Sequence, residues 1–268
     1  MVERIKTGID GLDEVIEGGF PKGSLILLAG EPGTGKTVFS TQFLAKGAEL
    51  GEPGIYASFI EPKETFFNNM SRHLGLDFKI ELERKFKFLD YIAVKEEAIT
   101  VLLETILNEI KALKAKRLVI DSFSAIVQSF KEPINVRILI NIVLGKIVGQ
   151  MGCTTIMIEE IPIGESRIGL GMEEFVADGL LKLRTGELDG RLFREMEILK
   201  LRGTRLSERK FVFTLEKGFK AFPPFKSKPI EKPKRFQPIP DFPGKYSTGS
   251  EDFDKMLGGE PLEGELCF

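Results

Sequence analysis

Gly30-Glu31-Pro32-Gly33-Thr34-Gly35-Lys36-Thr37 is a glycine-spaced octet closed by lysine and threonine, and its reading decides the fold. Residues 24–29 before it form a short apolar run bounded by Gly23 and Gly30, which reads as a buried strand. Residues 36–50 after it read as a helix. Strand, G-x-x-x-x-G-K-[ST] and helix, in that order, make a phosphate-binding loop. The glycines let successive backbone amides turn inward on the phosphates, and the helix adds its N-terminal dipole and unpaired amides. Lys36 supplies a point charge for the β and γ phosphates, and the Thr37 hydroxyl can ligate magnesium. Gly30, Glu31, Pro32, Gly33, Thr34, Gly35, Lys36, Thr37 and Val38 are thus the expected nucleotide contacts, with ATP and Mg2+ as the expected ligands.

Working outward, residues 54–59 read as a second strand, 62–74 as a helix and 85–89 as a weaker strand. Ile99, Leu102, Leu103, Ile106, Leu107, Ile110 and Leu113 share one helical face, and residues 117–121 form the strand that follows. Ile134, Ile138, Leu139, Ile142, Val143 and Ile147 repeat the helical pattern before a β-rich run at 154–158. Alternation of this kind predicts an α/β fold: a mostly parallel, twisted sheet with helices on both faces. Residues 180–183, 194–199 and 211–215 are separated by turn residues and predict a strand-rich, antiparallel C-terminal extension.

A P-loop site needs a second carboxylate at the end of a neighbouring strand, to hold the magnesium hydration shell. Leu118, Val119 and Ile120 carry Asp121 to the carboxyl edge of the sheet, where ligands bind in open α/β folds. Ser122 and Ser124 stand close enough to support it. Hydrolysis further needs a group that orients or deprotonates water. Glu61, just beyond the second strand, is the candidate base and is expected at the sheet edge beside the P-loop; a solvated carboxylate opening the next helix is the structural alternative.

The composition sets bounds on this reading. Hydrophobic residues make up 42% and charged residues 29% of the 268, enough for a core and a solvated surface. A formal net charge of −2 offers no global attraction to polyanions, so DNA is a weakly supported partner. Cys153 and Cys267 make neither a disulfide framework nor a metal cluster, and no secretory segment precedes Thr7, so a cytoplasmic protein is expected. The apolar runs are too short or too interrupted to span a bilayer. Cys153 and the single histidine, His73, read as structural residues.

Seven of the fourteen prolines fall between Pro223 and Pro243, mixed with lysines, and read as a linker. Beyond it Thr248-Gly249, Phe253-Asp254, Met256-Leu257-Gly258-Gly259 and Gly264-Glu265-Leu266 echo Thr7-Gly8, Leu12-Asp13, Val15-Ile16, Gly18-Gly19 and Gly23-Ser24-Leu25. Three segments are therefore expected: a domain at 1–222, a linker at 223–247, and the opening of a truncated second repeat at 248–268. In the repeat, Leu257, Leu262 and Leu266 are expected to pack against another apolar face.

Thr7-Gly8-Ile9-Asp10-Gly11-Leu12-Asp13, Gly18-Gly19-Phe20-Pro21 and Gly171-Met172-Glu173-Glu174-Phe175-Val176-Ala177-Asp178 give the chain a narrower likeness. It resembles a KaiC-like ATPase of the RecA/RadA superfamily from about Lys6 to Phe222. The resemblance implies a RecA-like P-loop core, hexameric or otherwise polymeric assembly, and nucleotide held between neighbouring subunits. It also implies that Lys200-Leu201-Arg202-Gly203-Thr204 crosses to the neighbour's nucleotide, making Lys200 and Arg202 trans fingers and Thr204 a further contact. Alternation along the strand would put both cations on one face with Ile198, and an exposed basic strand edge is the structural alternative.

Members of that family commonly carry two acidic residues after the second strand, where this chain has Ile60-Glu61. Two function classes therefore stand. One is an ATPase that drives assembly or switching in a signalling or DNA-related complex; the other is a nucleotide sensor with little turnover. A recombinase-like DNA-binding ATPase is a third, disfavoured by the three glutamates against one arginine at residues 159–169. The basic tail at 226–235, flanked by Phe225 and Phe236, would be the better nucleic-acid contact.

Overall fold

The computed structural model describes residues 2–74, 86–91, 98–130, 147, 149–165, 168, 176–224 and 250–256, in two compact units, Met1–Pro224 and Phe225–Phe268. Outside the described residues lie the expected helical face from Ile134 to Val143, residues 171–175, the 226–235 tail, Cys267, and Leu257, Leu262 and Leu266. In the second unit the described element is a short helix, Glu251–Met256.

Strand β3 (Leu25–Gly30) is buried at all six positions, and a strand apolar on both faces belongs in the middle of a sheet. It pairs in parallel with β7 (Thr154–Glu160) on one side and β8 (Gly179–Leu188) on the other. Beyond β7 follow β6 (Arg117–Asp121), β4 (Gly54–Ser58) and β5 (Phe86–Asp90), all parallel. Beyond β8 follow β9 (Arg191–Leu201), β10 (Lys210–Thr214) and β11 (Lys220–Phe222), all antiparallel. The order is β11-β10-β9-β8-β3-β7-β6-β4-β5, the α/β sheet with an antiparallel extension that the sequence predicts. A separate pair, β1 (Arg4–Ile5) and β2 (Phe20–Pro21), is too short to be read from alternation.

Alternation along β3 divides the core. Ile26 and Leu28 join Phe39 and Phe43 of α1 (Lys36–Glu49) and Phe66 and Met70 of α2 (Lys63–Leu74). Leu25, Leu27 and Ala29 face the other way, onto Leu103, Ile106 and Ile110 of α3 (Ile99–Leu113) and Phe123 and Ile126 of α4 (Phe123–Gln128). Helices therefore cover both faces. Among the described residues no helix is long and apolar enough to cross a membrane. Cys153 is buried in the second cluster, and its thiol is pushed up to about 12 by burial.

The Thr7–Asp13 motif is a folded knot. Asp13 Oδ1 accepts from the Thr7 amide and hydroxyl at 2.9 and 2.7 Å, and a Cβ at Gly11 would meet the Ala221 carbonyl oxygen at 2.1 Å. Nearby, Arg117 opens β6 with a fully buried side chain. Its Nε and Nη2 donate to Glu52 Oε2 at 2.8 and 2.6 Å, and Nη1 donates to the Lys6 and Phe43 carbonyls. The guanidinium lies 4.5 Å from the Phe43 ring centroid. One side chain thus ties the N-terminal segment, α1 and the turn before β4. Arg117→Met should cost about 2–4 kcal/mol, because the buried Phe43 carbonyl and the part-buried Lys6 carbonyl lose this donor while the partly exposed Glu52 rehydrates. Urea unfolding reads this.

Candidate nucleotide-binding site

The octet begins on the last residue of β3 and ends on the first turn of α1, so it crosses the carboxyl edge of the sheet at its centre. Gly35, the N-cap of α1, has φ +99, and a Cβ there would meet Leu215 Cδ2 at 2.7 Å. Only glycine satisfies both conditions. Thr34 closes the turn by donating its hydroxyl to the Glu31 carbonyl at 2.8 Å. Lys36 Nζ donates to the Gly30 and Glu31 carbonyls, both at 2.8 Å, which holds the ammonium inside the loop. Burial lowers its pKa, and the charges of Glu160, Asp121 and Glu31 oppose that.

Strand β6 delivers Asp121 to the same edge. Its Oδ2 accepts from the Thr37 hydroxyl at 3.3 Å and from the Tyr56 hydroxyl of β4. Burial raises the Asp121 pKa; the two hydroxyl donors and Lys36 pull it down. Tyr56 is wholly buried, and burial, then Asp121, push its phenol well above the usual range. Oxygen donors suit magnesium, which takes one or two protein ligands and completes its shell with water and phosphate. Thr37 and Asp121 fit that pattern. Among the described residues no three His, Cys, Asp or Glu side chains cluster to hold a metal unaided.

The structure brings Gly30 to Val38 and Asp121 together. Glu61 follows β4, whose neighbour β6 carries Asp121, and the Phe59 amide two residues before it donates to the Asp121 carbonyl. Glu61 lies on the same edge, after the third strand from β3, its carboxylate accepting from Asn69 Nδ2 at 2.6 Å. Ser122 caps α4 by accepting from the Ala125 amide, and Ser124 accepts from the Glu160 amide at 2.7 Å. Both hydroxyls are thus engaged by backbone amides.

Lys200 and Arg202 lie at the opposite edge. Leu201 pairs with Gly179, which pairs with Ile26 near the start of β3, whereas Leu183 on the same strand pairs with Gly30. Simple alternation also fails here. Leu181 pairs with Ile198 and Leu180 with Lys200, so Leu199 is an inserted bulge residue that turns Lys200 to the face opposite Ile198. Arg202 lies past the strand end, its Nη1 3.4 Å from Asp178 Oδ1. Lys200 Nζ donates to the Ala177 carbonyl at 2.7 Å, and burial, then Arg202, lower its pKa. Thr204 accepts from Arg4.

Two residues near the P-loop carry no motif. Tyr56 shows in the sequence only as one of two hydroxyls, with Ser58, in an otherwise apolar strand. Glu160 reads there as part of an acidic loop, yet β7 is the neighbour of β3, and its last residue acts on both Lys36 and Asp121. Glu31 Oε1 also accepts from the Gly164 amide at 3.2 Å, linking the octet to the loop after β7.

Comparison with known proteins agrees with this geometry. Residues 5–221 match the family described as "ATPase: KaiC". The UPF0273 protein PF1931 of Pyrococcus furiosus is 35% identical over 239 residues, covering 83% of this chain and 95% of its own. The circadian clock protein KaiC3 of Synechocystis is 33% identical across 96% of this chain and 51% of its own. Among solved structures, the KaiC-like protein PH0186 of Pyrococcus horikoshii superposes with a TM-score of 0.73 at 40% identity, covering 83% of this chain and 100% of that one.

A carboxyl raised by burial contributes most to stability while protonated; that contribution is present at acid pH and is lost as pH climbs through the raised value. Asp121→Asn removes the charge and keeps an acceptor for Tyr56 and Thr37. At neutral pH the nucleotide-free variant should melt higher than its parent, by roughly 2–6 °C. It should also lose the extra, magnesium-dependent stabilisation by ATP, which thermal shifts with and without EDTA measure.

Proposed function

Since the chain belongs to the KaiC family of ATPases and is an ATP-binding ATPase of that kind, we propose that it holds its nucleotide between neighbouring copies of itself. Hydrolysis there drives assembly or conformational switching in a signalling or DNA-related complex. The octet and the N-terminus of α1 bind the phosphates, Lys36 leaves its two loop carbonyls for the β and γ oxygens, and Thr37 and Asp121 hold magnesium. Magnesium, when bound, neutralises the phosphates and fixes their geometry. Glu61 exchanges Asn69 for the attacking water, and Lys200, Arg202 and Thr204 act on the nucleotide of the next subunit in a homo-oligomer, taken as a hexamer.

The observation that carries the interfacial reading is the polarity of the sheet. Residues 200–204 lie at the edge where β3 starts, a strand length from their own P-loop, so a nucleotide they touch belongs to another copy. Residues after Pro243 are proposed to open a second repeat; in support, the match to KaiC3 runs over 96% of the chain, against 83% for the Pyrococcus furiosus protein.

A nucleotide sensor with little turnover is the second reading. Ile60 favours it, half-exposed where the family resemblance implies a carboxylate, and so does the bond that occupies Glu61. The recombinase-like reading gains no support, since residues 161–165 carry Glu165 and no cation.

Steady-state ATP hydrolysis at increasing protein concentration separates the two leading readings. Turnover per chain should rise with concentration, and Glu61→Gln and Arg202→Ala should each lower it by about 10²-fold or more. Tight ATP binding without turnover at any concentration would instead establish the sensor.

A further inference from the structure

Arg4 is one side chain gathering five acceptors from two distant segments. Nη1 donates to the Ile16 and Gly19 carbonyls at 3.3 and 3.2 Å and to the Thr204 hydroxyl. Nη2 donates to the Gly203 carbonyl at 2.7 Å and to the Glu17 carboxylate. The side chain is only 13% exposed. The turn at 16–19 is shaped to receive it. Glu17 has φ +59, a left-handed conformation that a residue with a Cβ rarely adopts, and the chain folds so tightly that a Cβ on Gly19 would meet the Ile5 carbonyl oxygen at 2.1 Å.

The other segment is the loop that leaves β9. Its first residue, Arg202, is tied to Asp178: the Arg202 amide donates to the Asp178 carbonyl at 2.8 Å and the guanidinium faces the carboxylate. Its next two residues are tied to Arg4. Asp178 is itself fixed, because its Oδ2 accepts from the Leu25 amide at the start of β3 at 3.0 Å. A loop held at both ends presents the side chain between them from a defined place.

We infer that Arg4 is a positioning residue for the trans finger: it clamps the Gly203 carbonyl and Thr204 hydroxyl against the 16–19 turn and so fixes where Arg202 projects toward the neighbouring nucleotide. This rests on the interfacial reading proposed above. Arg4 touches no reacting atom. Its contribution is preorganisation, since a cation that must be ordered at each turnover is worth less than one already in place. An ammonium offers three donors from one point and cannot span both segments, which is why arginine suits the position.

The test uses the full chain. Arg4→Ala should lower kcat on the order of 10-fold while the KM for ATP stays within about twofold, because the loss is of orientation and not of phosphate binding. The double variant with Arg202→Ala should turn over no more slowly than Arg202→Ala alone. Independently of turnover, hydrogen exchange at the amides of residues 202–206 should quicken in Arg4→Ala while β3 and β8 keep the parent's protection. Arg4→Lys, which keeps the charge and the aliphatic stem, should shift kcat and the exchange at 202–206 in the same direction by less, and serves if the alanine variant does not fold. Unchanged exchange at 202–206 overturns the inference, as does full turnover in Arg4→Ala beside slow turnover in Arg202→Ala. Full turnover in Arg202→Ala overturns the interfacial reading, and this inference with it.

Discussion

Strand β3 is hydrogen-bonded along both edges, to β7 and β8, and the site follows from that constraint. A strand buried on both faces and paired on both edges can release its chain only at its ends, so the residues after Gly30 must turn at the carboxyl edge. β3 is parallel to both neighbours, with β4 to β7 all on one side and β8 to β11 all on the other, so chain order reverses there, where open α/β sheets form ligand crevices. The start of the strand is held just as closely. Leu25 has its amide taken by the Asp178 carboxylate, so neither end of β3 is left to fray.

Electrostatics set the state of the nucleotide-binding residues. Lys36 and Asp121 are both buried, and burial penalises the charged form of each. Hydroxyl donors on Asp121 and carbonyl acceptors on Lys36 offset part of that penalty without introducing a rigid counter-ion. Such bonds are exchangeable: phosphate oxygens can replace the loop carbonyls around Lys36, and a hydrated cation can share Asp121 with Thr37. A tightly paired arginine at either position would resist that exchange, since separating a buried ion pair leaves an uncompensated charge.

What was legible in the sequence followed period and motif. The three-and-four spacing from Ile99 and the run ending at Asp121 match the observed bounds, and the apolar run before Gly30 is shifted by one residue. Spatial order was not legible. β3 and β4 are consecutive strands in the chain, yet β7 and β6 stand between them in the sheet. The bulge at Leu199 leaves no mark in a strand of alternating character, yet it reverses the face of Lys200. Tyr56 and Glu160 gain meaning only from strands paired across long separations, and Arg4 reaches residues about two hundred positions away. Hydrogen bonds of that kind carry no local signal, because neither partner alters the periodicity of its own segment.

The two ties on Asp178 differ in strength, and the difference bears on how a finger could work. The Arg202 guanidinium stands 3.4 Å from Oδ1 with both side chains substantially solvated, 57% and 29% exposed, and exposed pairs of this kind contribute about 0–1 kcal/mol. The Leu25 amide is 3.0 Å from Oδ2 at the base of a buried strand, where losing the acceptor would leave a buried donor unpaired at about 1–3 kcal/mol. Parting the Arg202 guanidinium from the Asp178 carboxylate therefore costs little, while Asp178 stays on β3. The backbone bond from the Arg202 amide to the Asp178 carbonyl persists through that separation, so the side chain moves and the loop need not. A finger built this way rests against its own subunit when no neighbour is present and is released by a stronger anion, with the strand that carries the P-loop undisturbed.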